Sequence, residues 1–530
     1  MKKMKKLISL VVCMSCLASC AACNPNDKGD GENVLTISVF NGGYNVQWIN
    51  ALKQRFESEN EGITVKIVEA IGNTGRQRQI TELQSGASKT DIYFCSNDIY
   101  YLIDNAKLEV NGVKYDSYVA DLTDVYAHTV AGGTIADVMY DGFEEFFNHN
   151  GKYYALPWAT AAEGLMYHED FFTANDWKIP NTTNELISLA KTIKAADLKN
   201  EYDETIYPFS YSLEDEYWNL TLYPWIAQYE GLKGWNDYWA GKDDEGNLNN
   251  INILNFVGVE KALSVLETLL KDANDFQHPA SKTKDFTSMQ YRFLDGGSIM
   301  VPNGDWLVNE MKEGYSADEI ADLDVKIMKT PVISSLSERL SYYNESVAFD
   351  SLSSSKQAEY DQMLSTIISD VDAGKASSSV GNAEDFARVK EARSMLHSEG
   401  NVHLAIIPSY CDQADLAKSF LKMMYSEDGA KIFAKETLGC RLPMKYSFTG
   451  EADSAFSNSV MSMDRDATWI FKYNYKADLF VDYGLRILAP NVSNFVQLLS
   501  ASNSNDFKSA STIYSESKTY FENRWDEMVK

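Results

Sequence analysis

Residues 34–70 read VLTISVFNGGYNVQWINALKQRFESENEGITVKIVEA, and this stretch holds the pattern that decides the fold. Its first seven residues are mostly apolar and rich in β-branched side chains, which predicts a buried strand. A helix is predicted over residues 47–59, because apolar side chains recur there at the steps of a helix face. The last eight residues alternate between apolar and polar side chains, as a second strand does.

The same alternation continues further along the chain. Residues 76–85 predict a polar helix, and the apolar run at 91–95 predicts a third strand. Strands and helices in this order predict an α/β lobe with a mainly parallel sheet. Ligands bind such sheets at the carboxyl ends of the strands. We therefore expect Asn41 and Tyr44 after the first strand, and Asp98 after the third, to contact a ligand.

The length of the chain predicts more than one lobe. The chain has 530 residues, and this length is too great for a single compact domain. Its hydrophobic content of 45% is enough to build a large core. Two lobes of roughly 200 residues each are the natural expectation. Residues 353–398 have the composition of a polar, helical insertion. Further helices are predicted over residues 183–196, 257–271 and 416–433.

The N-terminal residues predict an export signal. Several lysines precede a short apolar run at residues 7–17, which is too short to span a bilayer as a stable helix. The run ends in Leu-Ala-Ser-Cys, which resembles the lipobox of bacterial lipoproteins and predicts diacylation of Cys20. Residues 1–19 are then the signal peptide, and residues 20–33 hold the lipidated cysteine and a flexible polar tether. An ordinary secretory signal is the alternative.

Charge and composition exclude several classes of function. The net charge of −28 disfavours binding to nucleic acid or to an anionic membrane surface. Beyond the N-terminal segment only Cys95, Cys411 and Cys440 remain, without disulfide or metal-binding spacing. The six histidines show no HExxH pattern. We therefore predict no metal and no cofactor.

Five segments, in order, resemble family 1 extracellular solute-binding proteins of the maltose-binding-protein type. They are the opening stretch 34–70, TDIYFCSND at 90–98, NGKYYALPWATAAEGLMYHEDFF at 150–172, FLDGGSIMVPNGDWLVNEM at 293–311 and AKSFLKMMYSEDGAKIFAKETLGCRLPM at 417–444. The third of these resembles the place where the family's chain crosses from one lobe to the other. Five loose motifs in the right order identify a family more firmly than any one of them.

The resemblance implies a type II two-lobed fold, with a hinge, that closes over its ligand. The first lobe would comprise residues 34–157 and 324–420, including the insertion, and the second lobe residues 158–323 and 421–530. The implied function is capture of a carbohydrate, most often an oligosaccharide, for the permease subunits of an ABC importer. Such a protein is expected to be a monomer on the outer face of a bacterial membrane or in a periplasm, held there only by its lipid.

A sugar site needs aromatic rings for C–H faces and polar side chains for hydroxyl groups, because buried hydroxyls must be hydrogen-bonded. Trp306 and Asp305 follow a strand-like SIMVP and a short turn, which predicts that they face the cleft. The structural alternative is a helix cap at Asp305 with a core tryptophan behind it. Trp158 and Glu163 are expected to contact the ligand from the lobe crossing.

Other residues are predicted with less support from the sequence. Trp218 and Trp225, together with Glu216, lie in an aromatic-rich stretch that could form a second stacking platform. Tyr410 is a further candidate. The remaining candidates near the C-terminus are Arg441, Trp469, Asn494 and Phe495.

Two alternative functions follow from the same residues. The fold could bind a peptide, a polyamine or another non-sugar solute, although no basic cluster near the strand ends points to an anionic one. A lipid-anchored glycoside hydrolase is the enzymatic alternative, but among 76 acidic residues no spacing identifies an acid and a nucleophile. The sequence also contains no GxSxG, GxGxxG or Walker A motif. It therefore predicts a binding protein and not an enzyme.

Overall fold

The computed structural model describes residues 33–529 with internal gaps. The gaps are residues 97–99, 104–105, 142, 201, 214–216, 313, 317–318, 320–322, 399–402, 446–453, 465–466, 472–477 and 482–483. The predicted signal peptide and Cys20 therefore lie outside the described residues, as do Asp98 and Glu216.

The described residues form two main sheets, three small hairpins and the helices that cover them. The strands are β1 Val34–Asn41, β2 Thr64–Ile71, β3 Ile92–Ser96, β4 Leu108–Val110, β5 Val113–Tyr115, β6 Thr129–Val130, β7 Gly133–Thr134, β8 Asn148–His149, β9 Lys152–Tyr153, β10 Leu156–Pro157, β11 Glu163–His168, β12 Tyr207–Phe209, β13 Ser298–Gly304, β14 Val325–Ile327, β15 Met395–Ser398, β16 His403–Ile406 and β17 Thr468–Phe471. The α-helices are α1 Gln47–Glu59, α2 Gly72–Gln84, α3 Thr123–Tyr126, α4 Ile135–Val138, α5 Glu169–Asn175, α6 Thr183–Ala196, α7 Asn219–Trp239, α8 Gly258–Leu270, α9 Phe286–Leu294, α10 Leu307–Met311, α11 Ser354–Asp372, α12 Ala383–Ser394, α13 Ala414–Met424, α14 Glu427–Glu436, α15 Ala455–Asp464, α16 Asp478–Val481, α17 Phe495–Ser500, α18 Ala510–Glu522 and α19 Trp525–Met528.

The first lobe is built on a sheet of order β10-β16-β3-β1-β2. β1 pairs in parallel with β2 along its whole length and with β3 on its other side. β16 pairs antiparallel with β3, and β10 pairs antiparallel with β16, so β10 runs in the same direction as β1. The predicted strand, helix and strand of residues 34–70 are confirmed, because their apolar periodicity matches the faces that the lobe buries.

Helix α1 covers this sheet with the face that the sequence predicted. Trp48, Ile49, Leu52 and Phe56 are its buried residues. Burying each of these side chains stabilises the lobe by about 1.5–3 kcal/mol relative to leaving it in water. Phe56 also meets Phe420 of α13 with ring centroids 5.2 Å apart. The first lobe is thus covered in part by α13, which is distant from α1 in the sequence.

The second lobe is built on a sheet of order β12-β13-β11-β15-β17, with β14 paired to β11. This sheet is mixed: β11 runs antiparallel to β13, β14 and β15, whereas β12 and β17 join as parallel strands. β11 is thus the one reversed strand among the described strands of this sheet, and the expectation of a mainly parallel sheet holds for this lobe. The two-lobed α/β fold itself is confirmed.

The predicted lobe boundaries need a correction. β14 and β15 pair with β11, so residues 325–398 belong to the second lobe and not to the first. The chain returns to the first lobe at β16, and α13 and α14 stay there. The apolar strands give no local signal of which sheet they join, since that choice depends on pairings hundreds of residues apart.

Helix α7 runs through the core of the second lobe. It contains Pro224, and its backbone is kinked at Gly231, which has φ 82°. Trp218 directly precedes the helix and Trp225 lies inside it. The aromatic-rich stretch that contains Trp218 and Trp225 is therefore largely helical. Helices α11 and α12, from the predicted insertion, pack in this lobe.

Where the described elements follow one another, the chain changes lobe at three connections: between β10 and β11, between β15 and β16, and between α14 and α15. Backbone hydrogen bonds hold them together: Trp158 N donates to His403 O at 2.8 Å, and Thr160 N donates to Arg441 O at 2.9 Å. These connections form the hinge region that the fold class implied.

Candidate functional site

One strand end from each lobe meets the other between the two sheets. β1 leads into the turn 42–45, and β13 leads into Asp305 and Trp306. The ring of Tyr44 in the turn lies 6.4 Å from the ring of Trp306, measured between centroids. We call the surrounding region the interlobe site and define it by the residues Tyr44, Tyr140, Asp305, Trp306, Arg441 and Trp469.

Aromatic rings form two groups at the interlobe site. Tyr44 is 3% exposed, and Trp306, which faces it, is partly buried. On another side Tyr140 lies against Trp469, with ring centroids 5.1 Å apart. Tryptophan and tyrosine offer both an apolar face and a polar group, which suits a solute that has both kinds of surface.

Asp305 is a carboxyl group buried between the lobes. It is 5% exposed, and one of its oxygens accepts a hydrogen bond from Ala162 N at 3.3 Å. Burial raises the pKa of Asp305 to about 7, although the Ala162 amide and the Arg441 guanidinium lower it; nearby Glu163 raises it further. This carboxyl group can therefore act as a hydrogen-bond acceptor or donor near neutral pH.

Arg441 also influences Tyr140. Burial raises the pKa of the Tyr140 hydroxyl, the positive charge of Arg441 lowers it and Asp305 raises it. These three residues therefore lie close enough to interact electrostatically. A guanidinium, a carboxyl group and a phenol give planar donors and acceptors on one wall of the site.

Glu163 lies at the hinge and is fully buried. Its Oε2 accepts a hydrogen bond from Nδ1 of His397, and both side chains are 0% exposed. The neighbouring Ala161 N donates to Ser398 Oγ at 3.3 Å, which ties the same two connections together. The structure thus places Glu163 next to the interlobe site but in a pair that fastens β11 to β15.

Several buried polar groups near the hinge have no hydrogen-bond partner among the residues that the structure describes. They are Tyr140 Oη, Thr160 Oγ1, Asn303 Nδ2, His397 Nε2 and Trp469 Nε1. Buried polar groups are nearly always hydrogen-bonded, and leaving one unsatisfied costs about 1–3 kcal/mol. A polar solute that reached these groups would satisfy them.

Trp158 was predicted to contact the ligand, and the structure places it in the core of the first lobe. It is 0% exposed and stacks on Trp48 with ring centroids 5.2 Å apart. Its Nε1 donates to Cys95 O at 3.0 Å. Its ring also meets Tyr44 edge to face at 5.4 Å. The packing therefore lets Trp158 support Tyr44 from behind.

Four other predicted residues are not brought to the interlobe site. Asn41 ends β1 but donates to Glu69 Oε2 at the exposed sheet edge, at 2.8 Å. Trp218 and Trp225 are 0% exposed in the second core, which gives them the role of core residues and forms no stacking platform. Tyr410 donates to Leu83 O at the end of α2, at 2.8 Å.

The sequence missed two residues of this region. Tyr140 follows the short helix α4, in a stretch without a clear periodic pattern. Asn309 lies on α10, three positions after Trp306. Its place one helical turn beyond the predicted tryptophan was the only signal in the sequence that could have identified it.

The described part of the chain contains neither a metal-ligand cluster nor a helix that could span a membrane. No group of three or more His, Cys, Asp or Glu side chains there is arranged to hold a metal ion. Each helix in the described ranges is too short or too polar to cross a membrane.

Comparisons with known proteins agree with the fold. The diacetylchitobiose-binding protein NgcE of Streptomyces coelicolor is 24% identical over 288 residues, which are 54% of this chain and 55% of that protein. The match thus spans about half the length of the curated relative. Maltose-bound MalE3 of T. maritima superposes with a TM-score of 0.57 at 14% identity, covering 92% of this chain and 99% of MalE3.

A chitin oligosaccharide-binding protein superposes with a TM-score of 0.54 at 15% identity, covering 91% of this chain and 96% of the other. At such identities these likenesses show the fold alone. A family model described as bacterial extracellular solute-binding protein matches residues 51–456, which is more than half of the chain. The chain therefore belongs to the bacterial extracellular solute-binding proteins.

Proposed function

We propose that this protein captures a carbohydrate, most simply an oligosaccharide, at the interlobe site and delivers it to an ABC importer. The observation that carries the proposal is the meeting of Tyr44 from one lobe with Trp306 from the other, beside the buried Asp305. A solute held there touches both lobes, so it stabilises the closed arrangement through contacts that the open one lacks.

The chemistry of the site suits a sugar. Aromatic rings offer flat apolar faces for the C–H groups of a pyranose ring. Asp305 and Arg441 offer planar acceptors and donors for its hydroxyl groups. Arg441 offsets the negative charge of the two nearby carboxyl groups, Asp305 and Glu163, which favours a neutral solute over a polyanion or a polycation.

The comparisons support the same ligand class. The curated relative is named for diacetylchitobiose, and superposing structures are named for maltose, raffinose and chitin oligosaccharides. We infer that the partners of this chain are the permease subunits of an importer, which recognise the closed form. We also infer that diacylated Cys20 holds a monomeric receptor on the outer face of the membrane.

The test is a thermal unfolding screen of the protein against mono- and oligosaccharides, with peptides and polyamines as competitors. A solute that binds only the native state adds about 2.7 kcal/mol of stability at a hundredfold excess over its dissociation constant. Trp306→Ala is expected to weaken binding at least tenfold, which is about 1.4 kcal/mol. Trp177→Ala is the matched control, because Trp177 is also half-buried but packs with Phe172, away from the interlobe site.

The outcomes separate the competing functions. A sugar that raises the unfolding midpoint of wild type and Trp177→Ala clearly more than that of Trp306→Ala, and is recovered intact, supports the proposal. A shift only with a peptide or a polyamine keeps the fold and replaces the ligand class. Recovery of a cleaved sugar identifies a hydrolase.

A further inference from the structure

Helix α10 links the two lobes. It continues directly from β13 of the second sheet, and Leu307, Val308 and Met311 are buried in an apolar cluster that contains residues of both sheets. Lys312, at the end of this helix, directs its Nζ to the carbonyl oxygen of Glu436 at 3.5 Å. A cation near the C-terminal end of a helix, here α14, is electrostatically favoured. α10 is therefore the point at which the second lobe is docked on the first.

Asn309 joins α10 to the turn 42–45 through both ends of its amide. Its Oδ1 accepts from Asn45 Nδ2 at 2.6 Å, and its Nδ2 donates to Gly43 O. Asn309 itself is 3% exposed, and both hydrogen bonds are partly buried. Each such bond contributes about 0.5–1.5 kcal/mol net, and losing one partner of a buried bond costs more.

The backbone conformation and the glycine of the turn 42–45 allow α10 and its Asn309 to approach closely. Asn45 has φ 51°, a left-handed conformation that asparagine adopts more readily than most residues. A Cβ added to Gly43 would lie 2.9 Å from Trp306 Cβ, so only glycine allows this approach. Asn45 O also accepts from Trp48 Nε1 at 3.0 Å, which links the turn to the core of the first lobe.

We propose that Asn309 is a positioning residue of the ligand site: it fastens the turn 42–45 to α10 and so fixes Tyr44 opposite Trp306. The inference rests on the proposed function of the interlobe site. Because the two bonds join opposite lobes, opening the lobes breaks them, whether or not a solute is bound. Asn309 therefore slows the opening of the closed form and the escape of the solute, and it has little influence on the first encounter.

The first measurement is hydrogen exchange of the ligand-free protein, which needs no knowledge of the solute. Asn309→Ala is expected to speed exchange of the amides of residues 42–48 about tenfold. Asn274→Ala is the matched control, because Asn274 Nδ2 donates to Thr268 O at 2.8 Å within one lobe. The proposal is overturned if exchange of residues 42–48 is the same in Asn309→Ala as in wild type.

The second measurement follows the kinetics of the sugar found in the unfolding screen. Asn309→Ala is expected to raise its dissociation rate about tenfold and to change its association rate less than about twofold. Equal changes in both rates, or none, contradict the inference. If no sugar binds wild type, the proposed function fails, while the exchange experiment still decides the role of Asn309.

Gly43→Ala tests the same contact from the other lobe, in case Asn309→Ala folds poorly. The added methyl group displaces Trp306, so faster exchange of residues 42–48 is expected again. Gly234→Ala is its control, since Gly234 lies in α7, where its added Cβ would meet only Glu230 Cβ. If exchange of residues 42–48 is as unchanged in Gly43→Ala as in Gly234→Ala, the proposed contact between the turn 42–45 and α10 is refuted.

Discussion

The substitution Asp305→Asn measures how much the ionised carboxyl group of Asp305, which is buried between the lobes, lowers the free energy of unfolding. Burial raises the pKa of Asp305 from its ordinary value of 3.8 to about 7. The native state therefore holds this proton more tightly than the unfolded chain does. Wild type loses stability as the pH rises from about 4 to about 7, and above that range the loss stays constant. Asparagine cannot titrate, so the variant does not share this loss.

The size of the effect follows from the pKa shift. Three pKa units correspond to about 4 kcal/mol when the penalty is complete. Part of it is already present at about pH 5, because an unfolded Asp is mostly ionised there. The linkage relation then predicts that the stability of wild type relative to Asp305→Asn falls by about 2.5 kcal/mol between about pH 5 and about pH 8.

Urea unfolding of both proteins across this pH range measures the difference directly. Asp361→Asn is a useful control, because Asp361 is also buried in the second lobe and burial raises its pKa to about 6. Its penalty is complete at a lower pH than that of Asp305. If the stability difference between wild type and Asp305→Asn stays constant from about pH 5 to about pH 8, the reasoning on the buried carboxyl is wrong.

Two further predictions concern the cores of the lobes. Trp158→Phe is expected to lower the free energy of unfolding by about 1–3 kcal/mol, because it removes the hydrogen bond to Cys95 O and part of the stack on Trp48. The affinity for the solute should change less than about twofold. A tenfold loss of affinity without loss of stability would make Trp158 a ligand contact. Lys261 is 8% exposed and donates to Glu338 at 2.6 Å and Asp350 at 3.0 Å. Lys261→Met is expected to destabilise the second lobe by about 3 kcal/mol in urea unfolding, the lower end for a buried pair, because Glu338 loses its positive partner but keeps hydrogen bonds from Tyr229 and Phe349. Adding Glu338→Gln should restore much of that stability, and failure to do so contradicts the role given to the ion pair.

The local pattern of residues 34–70 predicted its elements to within a residue or two. The apolar pattern was sufficient there because β1 is buried as a continuous run, whereas α1 and β2 each bury only part of their surface. The strand β16 was different. It consists of four residues, all buried, and its partner β3 lies far away in sequence. No local pattern distinguishes the sheet that such a strand joins, so the predicted lobe boundaries failed after residue 324.

The site shows the same limit. The strand-end argument named Tyr44, Asp305 and Trp306, and the structure brings these three together. It also named Asn41, whose side chain points to the sheet edge, because the end of a strand does not specify the direction of each side chain. Composition marked Trp218 as a possible platform, but its ring fills the second core. Aromatic residues serve cores and sites alike, and only tertiary packing separates the two uses.

The pairing of β3 with β16 also delays the completion of the first-lobe sheet during folding. Cys95 and Leu404, which touch across these strands, are 309 positions apart. At about 5–20 residues per second, synthesis brings the second strand roughly 15–60 seconds after the first. Throughout that interval the apolar edge of β3 is without its native neighbour and is prone to pair with other chains. Contacts this distant in sequence also slow folding itself. Because the sheet of the first lobe is complete only when β16 has joined β3, the protein can bind a solute only after this late segment has been made.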